Sequence, residues 1–210
     1  MEDEENLIQW IYASKNELEL EERYDVWAKS YEADLDKDFG WYGPIRAVES
    51  FIRYVDKGAR VLDAGAGTGL VGKLLAEAGF SNIVGMDLSL GMLEEARNKG
   101  VYKQLDQMTM GETLGYDTDS FDAVVTVGVL TVGHAPVDSL DELIRVTKPG
   151  GHIVYTLRPD LAEEGGYREK HAELEAAGLW KLVELGEPTQ ILPKGEPDVY
   201  HQVYVFEILA

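Results

Sequence analysis

The sequence predicts an α/β fold: a mostly parallel sheet flanked by helices, with an antiparallel strand pair at its C-terminal end and N-terminal helices before it. Three observations predict this. From Ala59 to Leu157, short apolar runs alternate with helix-length amphipathic segments, the pattern of βαβ units. A glycine-rich turn, Gly65 to Gly69, joins one such strand to one such helix. Trp180 to Leu185 and Tyr200 to Ile208 read as strands joined by a loop carrying Pro188, Pro193 and Pro197. That loop is too short for a helical crossover, so the two strands pair antiparallel with each other or with the sheet edge.

The elements follow in order. A short helix is expected around Leu7 to Tyr12. Tyr24, Trp27, Ala28, Tyr31 and Leu35 recur at helical spacing and predict one amphipathic helix. Gly40 to Gly43 break it, Pro44 suits the first turn of a helix running to about Asp56, and Gly58 follows. Arg60 to Asp63 is a short buried strand, and Leu70 to Ala78 a helix stopped by Gly79. Asn82 to Met86 is the second strand. Ser89 caps a helix to Asn98, with Glu94 and Glu95 before Arg97 and Lys99. Val101 to Leu105 and Phe121 to Val127 are the third and fourth strands. A helix from Val137 to Thr147 ends at Pro149-Gly150-Gly151, His152 to Leu157 is the fifth strand, and Glu164 to Ala177 is helical. This divides the chain into an N-terminal helical cap, 1–58, and a Rossmann-like unit, 59–210.

Composition narrows the functions. The 210 residues include 39 acids and 19 Lys or Arg, a formal net charge of −20. Residues 1–40 alone carry 13 acids and 4 bases. A nucleic-acid binder needs a basic footprint to displace counterions, and a membrane-surface protein a basic amphipathic helix. Neither is visible. The acidic balance suits a cationic small molecule or peptide. The absence of cysteine removes disulfides, thiolate zinc sites and thiolate nucleophiles. No metal-ligand spacing occurs among the four histidines. The acidic start, Met1 to Glu5, is unlike a secretory or transit leader, so a cytoplasmic protein is expected, most simply a monomer.

The glycine turn carries the chemistry. Val61-Leu62-Asp63-Ala64-Gly65-Ala66-Gly67-Thr68-Gly69-Leu70 runs from strand to turn to helix, so the backbone can approach a ligand closely. A dinucleotide fingerprint would put a pyrophosphate at the helix N-terminus. Asp63 would repel it, and suits instead a ligand with an ammonium and a sulfonium, such as S-adenosylmethionine. Asp87 ends the next strand about 20 residues on, the position that bonds a ribose diol. Leu88 and Met92 are placed to line an adenine. Val127 and Gly128, at the carboxyl end of the fourth strand, should border the methionine moiety and its methyl group.

These residues carry a resemblance. Asp63 to Gly69 resembles the first motif of class I S-adenosylmethionine-dependent methyltransferases, Asp87 the second, Phe121 to Val125 the fourth-strand motif, and Arg145 to Gly151 the segment leading into the fifth strand. Tyr24 to Tyr31 and Gly128 to Pro136 resemble the methyltransferase-like proteins of the Williams–Beuren syndrome critical region. The resemblance implies that Asp106 accepts a bond from the adenine amine, with Gln107 and Met108 beside it. It also implies that the helix bearing Tyr24, Trp27 and Tyr31 covers the cofactor; a plain packed face is the competing reading. His134, in the loop after the fourth strand, is either a general base or a loop histidine without a role.

The expected function is methyl transfer from S-adenosylmethionine, with S-adenosylhomocysteine as product, to a small-molecule or peptide nucleophile. A non-enzymatic S-adenosylmethionine-binding protein and an NAD-dependent oxidoreductase are the alternatives.

Overall fold

The computed structural model describes residues 7–131 and 134–210. Met1 to Glu5 and the Val132-Gly133 pair of the loop motif lie outside the described residues. Seven strands form one sheet: β1 (Val61–Ala64), β2 (Ile83–Asp87), β3 (Gln104–Gln107), β4 (Phe121–Thr126), β5 (Thr147–Leu157), β6 (Trp180–Leu185) and β7 (Gln202–Ile208), in the order β3-β2-β1-β4-β5-β7-β6. The first five are parallel. β7 inserts between β5 and β6 and pairs antiparallel with both, so the two alternatives left open for the C-terminal strands are both realised.

Strand parity sorts the core. Leu62, Val84, Val124 and Ile153 face one side of the sheet, with Tyr155, Trp180 and Phe206. Val61, Ile83, Val125, Val154 and Val205 face the other. Onto that second side packs α4 (Gly43–Tyr54) through Ala47, Val48 and Phe51, beside Leu75 of α5 (Leu70–Glu77). Arg46, Glu49 and Arg53 of α4 face outward. Helix α4 was grouped with the cap on sequence, yet it shares the sheet's own core.

Several elements differ from the periodicity. The expected helix over Tyr24 to Leu35 is broken. Helix α2 (Glu17–Trp27) ends, a turn closes with Ser30 N–H donating to the Trp27 carbonyl, and α3 (Tyr31–Asp34) runs into a wide turn, Leu35–Phe39, closed by Gly40 N–H on the Leu35 carbonyl. The apolar stripe survives the break because Trp27 and Tyr31 meet edge to face, with ring centroids 4.7 Å apart. Periodicity reports a face, not a straight axis. The third strand starts later than expected because Tyr102 leaves the edge and turns inward. Its hydroxyl donates to Asp63 at 2.6 Å, and its ring lies over Gly72 and Gly85, where a Cβ would collide with it. The fifth strand starts earlier: Thr147 pairs with Phe121, the Pro149-Gly150-Gly151 segment shifts the register, and pairing resumes at His152. The helix expected over 164–177 is two, α8 (Pro159–Glu164) and α9 (Tyr167–Ala176), separated by Gly165-Gly166.

The cap has a small core of its own. Ile8 and Ile11 of α1 (Leu7–Tyr12), Leu20 and Trp27 of α2, Leu35 and Phe39 pack with Ile191 and Leu192 of the β6–β7 loop. Polar bonds fix the cap on the sheet domain. Asp25 Oδ1 accepts from Ser89 Oγ and from the Gly91 N–H at 2.8 Å, at the start of α6 (Leu90–Asn98). Glu21 accepts from Gln107, and Glu32 pairs with Lys99. No helix among the described residues is long and apolar enough to cross a membrane.

Asp25 thus supplies the extra acceptor at the α6 N-terminus. Asp25→Ala is expected to destabilise the chain by about 1 kcal/mol, the usual worth of such a cap. Urea denaturation of both proteins checks this.

Candidate active site

β1 lies between β2 and β4, so the chain leaves it in opposite directions on its two sides, and a crevice opens at the carboxyl ends of the strands. The glycine loop is held rigidly there. Gly65 and Ala66 donate their N–H groups to the Met86 carbonyl at 2.8 and 2.9 Å, Gly67 donates to Asp87 Oδ2 at 2.8 Å, and Gly69 donates to the Ala66 carbonyl. The second oxygen of Asp87 accepts from the Ser89 N–H at 3.0 Å, and Ser89 Oγ caps α6 through the Met92 N–H. These loop amides are therefore occupied. These four are not available to a pyrophosphate.

Two glycines are required by geometry. Gly65 and Gly67 have φ of +79° and +53°, in the left-handed region. A Cβ on Gly65 would strike Val129, whereas Gly67 faces open space. That space is a cleft open to solvent over the loop.

The cleft collects residues from separated segments. Gly65, Gly67, Thr68, Asp87, Leu88 and Met92 line its floor, Met108 one side, and Val127 and Gly128 the end of β4. Tyr24 and Tyr31 of the cap cover it, and His134 borders it. Tyr24 Oη and His134 Nε2 lie 2.7 Å apart. Burial pushes the Tyr24 and Tyr31 phenols above their ordinary values, so both stay protonated at neutral pH.

Other residues expected at the site stand outside its lining. Asp63 follows the parity of Val61, which turns its side chain beneath the loop; there it is fully buried and bonded to Tyr102. Burial pushes its carboxyl up to about 7 against the opposing pull of the Tyr102 hydroxyl. Ala64 and Gly69 lie behind the loop surface. Trp27 turns into the cap core, its indole N–H donating to Asp34 at 2.9 Å. Asp106 accepts from Gln104 and from the Tyr116 hydroxyl, each at 2.8 Å. Gln107 bridges Glu21 and the Leu88 carbonyl. Sequence reasoning missed Glu17, Leu20, Trp41, Thr109, Met110 and Val129, which also line the cleft. Trp41 sat in a segment legible only as a break between helices, with no periodic partner to mark it.

A methyltransferase domain model matches residues 62–155. Human methyltransferase-like protein 27 is 36% identical over 165 residues, which are 75% of this chain and 66% of that protein. The demethylmenaquinone methyltransferase of Clavibacter sepedonicus is 42% identical over 132 residues, 60% of this chain and 53% of that one. The chain belongs to the class I S-adenosylmethionine-dependent methyltransferase family. It spans less than two thirds of the length of these two relatives. The crystal structure of the [4+2]-cyclase SpnF shares the fold, with a TM-score of 0.73 at 17% identity over 93% of this chain and 97% of that one. Its described activity is not methyl transfer, so this class I methyltransferase fold does not by itself fix a reaction.

S-adenosylmethionine is the methyltransferase family's cofactor, and the cleft fits it. Asp87 offers a buried carboxylate to a ribose diol, and Leu88, Met92 and Met108 offer apolar surface to an adenine. Thr68 Oγ1 is buried in the lining without a partner among the described residues, as a group awaiting a ligand would be. Among the described residues, Asp87 and Glu17 are the carboxylates in the lining, and no Lys or Arg borders it. This balance suits a ligand of net positive charge.

Asp87→Ala is expected to weaken S-adenosylhomocysteine binding by about 1.5–3 kcal/mol, read by calorimetry. Burial pushes the Asp87 carboxyl up to about 6, against the Ser89 and Gly67 amides. Protonation removes acceptor capacity, so wild-type affinity should fall as pH drops through about 6, and Asp87→Asn should flatten that profile. A raised carboxyl value means that the folded chain binds the proton more tightly than the unfolded one, so its contribution to stability is lost as pH rises through the folded value. For Asp63 that value is about 7. The stability of Asp63→Asn relative to wild type should therefore increase between pH 5 and pH 8 in denaturation experiments.

Proposed function

We propose that the chain binds S-adenosylmethionine in the cleft over the Gly65–Gly69 loop and transfers its methyl group to a nucleophile on a small molecule. The observation that carries this reading is the Asp87–Gly67 latch beneath a cleft whose mouth is covered by Tyr24 and Tyr31. When bound, the cofactor supplies an electrophilic methyl group and leaves as the thioether S-adenosylhomocysteine. The chain supplies position and exclusion of water. Asp87 holds the ribose, and the cap rings shield the sulfonium end, where an aromatic face adds a cation–π attraction of about 0.5–2 kcal/mol.

The Tyr24–His134 pair handles the acceptor's proton. As the acceptor's lone pair forms its bond to carbon, its proton passes to the Tyr24 oxygen while the Tyr24 proton moves to Nε2 of His134. The phenol, held protonated by burial, stays neutral throughout. The Asp25 and Gln107 bonds that fix the cap on the sheet domain support a covering role for the N-terminal helices.

The purified chain is expected to bind S-adenosylmethionine and S-adenosylhomocysteine and to show no saturable binding of NAD. Calorimetric silence with both sulfur ligands, in folded protein, would remove the reading. An untargeted screen of metabolite extract with methyl-labelled cofactor should yield a labelled product. Tyr24→Phe should then lower kcat about 10²-fold with cofactor affinity nearly unchanged, since Phe keeps the ring and loses the relay. Binding without any labelled product would favour a non-catalytic cofactor-binding protein.

A further inference from the structure

A second cavity adjoins the cleft and shares Tyr24, Tyr31, Trp41, Gly128 and His134 as common walls. Its far side is made by the cap and the β6–β7 loop, through Ile8 and Ile11 of α1, Leu35, Ile191 and Leu192. No Asp, Glu, Lys or Arg borders it among the described residues. Beyond the lining, Arg158 pairs with Asp160, Asp34 accepts from the Trp27 indole, and the buried Glu196 accepts from Gln9. The polar groups it offers are neutral. Thr156 Oγ1 is occupied by the Gly128 N–H at 3.0 Å. His201 lines the chamber, its backbone N–H and carbonyl are paired with Thr189, and its Nδ1 is buried without a partner among the described residues. Burial holds that imidazole down to about 4, so it is uncharged at neutral pH.

We propose that this second cavity binds an uncharged, largely apolar molecule carrying a hydroxyl group, and that this molecule, on the function proposed above, is the methyl acceptor. The whole-chain charge of −20 points to a cationic partner, but none of the acids lines this chamber among the described residues. Inside the chamber an ammonium would lose its hydration with no carboxylate to replace it, and a carboxylate would find no cation. The rings do not compensate by forming a cage around one point. They pack on one another instead: Trp27 edge to face with Tyr31, and Tyr31 edge to face with Trp41 at 6.0 Å. An apolar body fills such walls, and one hydroxyl can reach the imidazole of His201 or the Tyr24–His134 pair. The shared walls at Gly128 and His134 set that hydroxyl against the end of the cofactor cleft.

Three probes with one skeleton test this: 4-phenylbutan-1-ol, 4-phenylbutylamine (an ammonium at pH 7) and 4-phenylbutyrate. Each is titrated by NMR into the full chain, with and without saturating S-adenosylhomocysteine. The alcohol is expected to bind at least fivefold more tightly than either ion. Leu192→Trp, which fills the far side, should weaken the alcohol at least fivefold and leave S-adenosylhomocysteine affinity within twofold. Ile11→Phe fills the same space from α1 and serves if the first variant does not fold. Equal or tighter binding of the ammonium or the carboxylate, no saturable binding of the alcohol, or unchanged alcohol affinity in the filled variants would overturn the proposal. Alcohol binding that persists when S-adenosylhomocysteine fails to bind supports the chamber and removes only the methyl-transfer reading.

Discussion

Asp87 holds together pieces of chain that are not neighbours in sequence. One of its oxygens takes the amide of Gly67, the other the amide of Ser89, and the Ser89 hydroxyl passes the connection on to Asp25 in the cap. A carboxylate buried without partners would be strongly destabilising; these charge-assisted bonds offset that cost and fix the loop in return. The shape of the glycine loop, the start of α6 and the seating of α2 are thus consequences of one side chain. With the loop amides occupied, the cleft is left with acceptors and apolar surface and few free donors.

The parts of the architecture that follow from local chemistry were legible in the sequence. Buried strands, the glycine turn, the Ser89 cap and the antiparallel tail each carry a signal within a few residues, and each element exists close to where that signal lies. The lining of the cleft was legible where it borders those signals, at Gly65, Gly67, Thr68 and Asp87. It was not legible where facing decides the outcome. Asp63 precedes the loop at a suggestive distance, but strand parity turns it under the sheet face to Tyr102. Asp106 and Gln107 end the right strand, yet they stand outside the cleft lining, with Asp106 Oδ2 taken by Tyr116 and the Gln107 amide nitrogen by Glu21. Trp41 and the β6–β7 loop reach the site through tertiary packing, which no window of sequence displays.

The cap also separates two roles of charge. Most of its acids are exposed and add to the negative charge, while its apolar stripe, though broken after Trp27, still closes over the sheet. Net charge therefore describes how the molecule meets water and other macromolecules. It says little about an interior chamber whose walls come from the other face of the same helices.

The cap core is built from both ends of the described chain: Lys194 of the β6–β7 loop donates to the carbonyl of Asp36, 158 positions earlier. During synthesis Trp27, Leu35 and Phe39 emerge well before Ile191 and Leu192, which complete the core they share with Ile8, Ile11 and Leu20. At ordinary ribosome speeds that interval is on the order of ten to thirty seconds. For that time the nascent chain presents an aromatic, acid-flanked segment to the cell's folding machinery. The second cavity gains its far wall only when the last hairpin has been made.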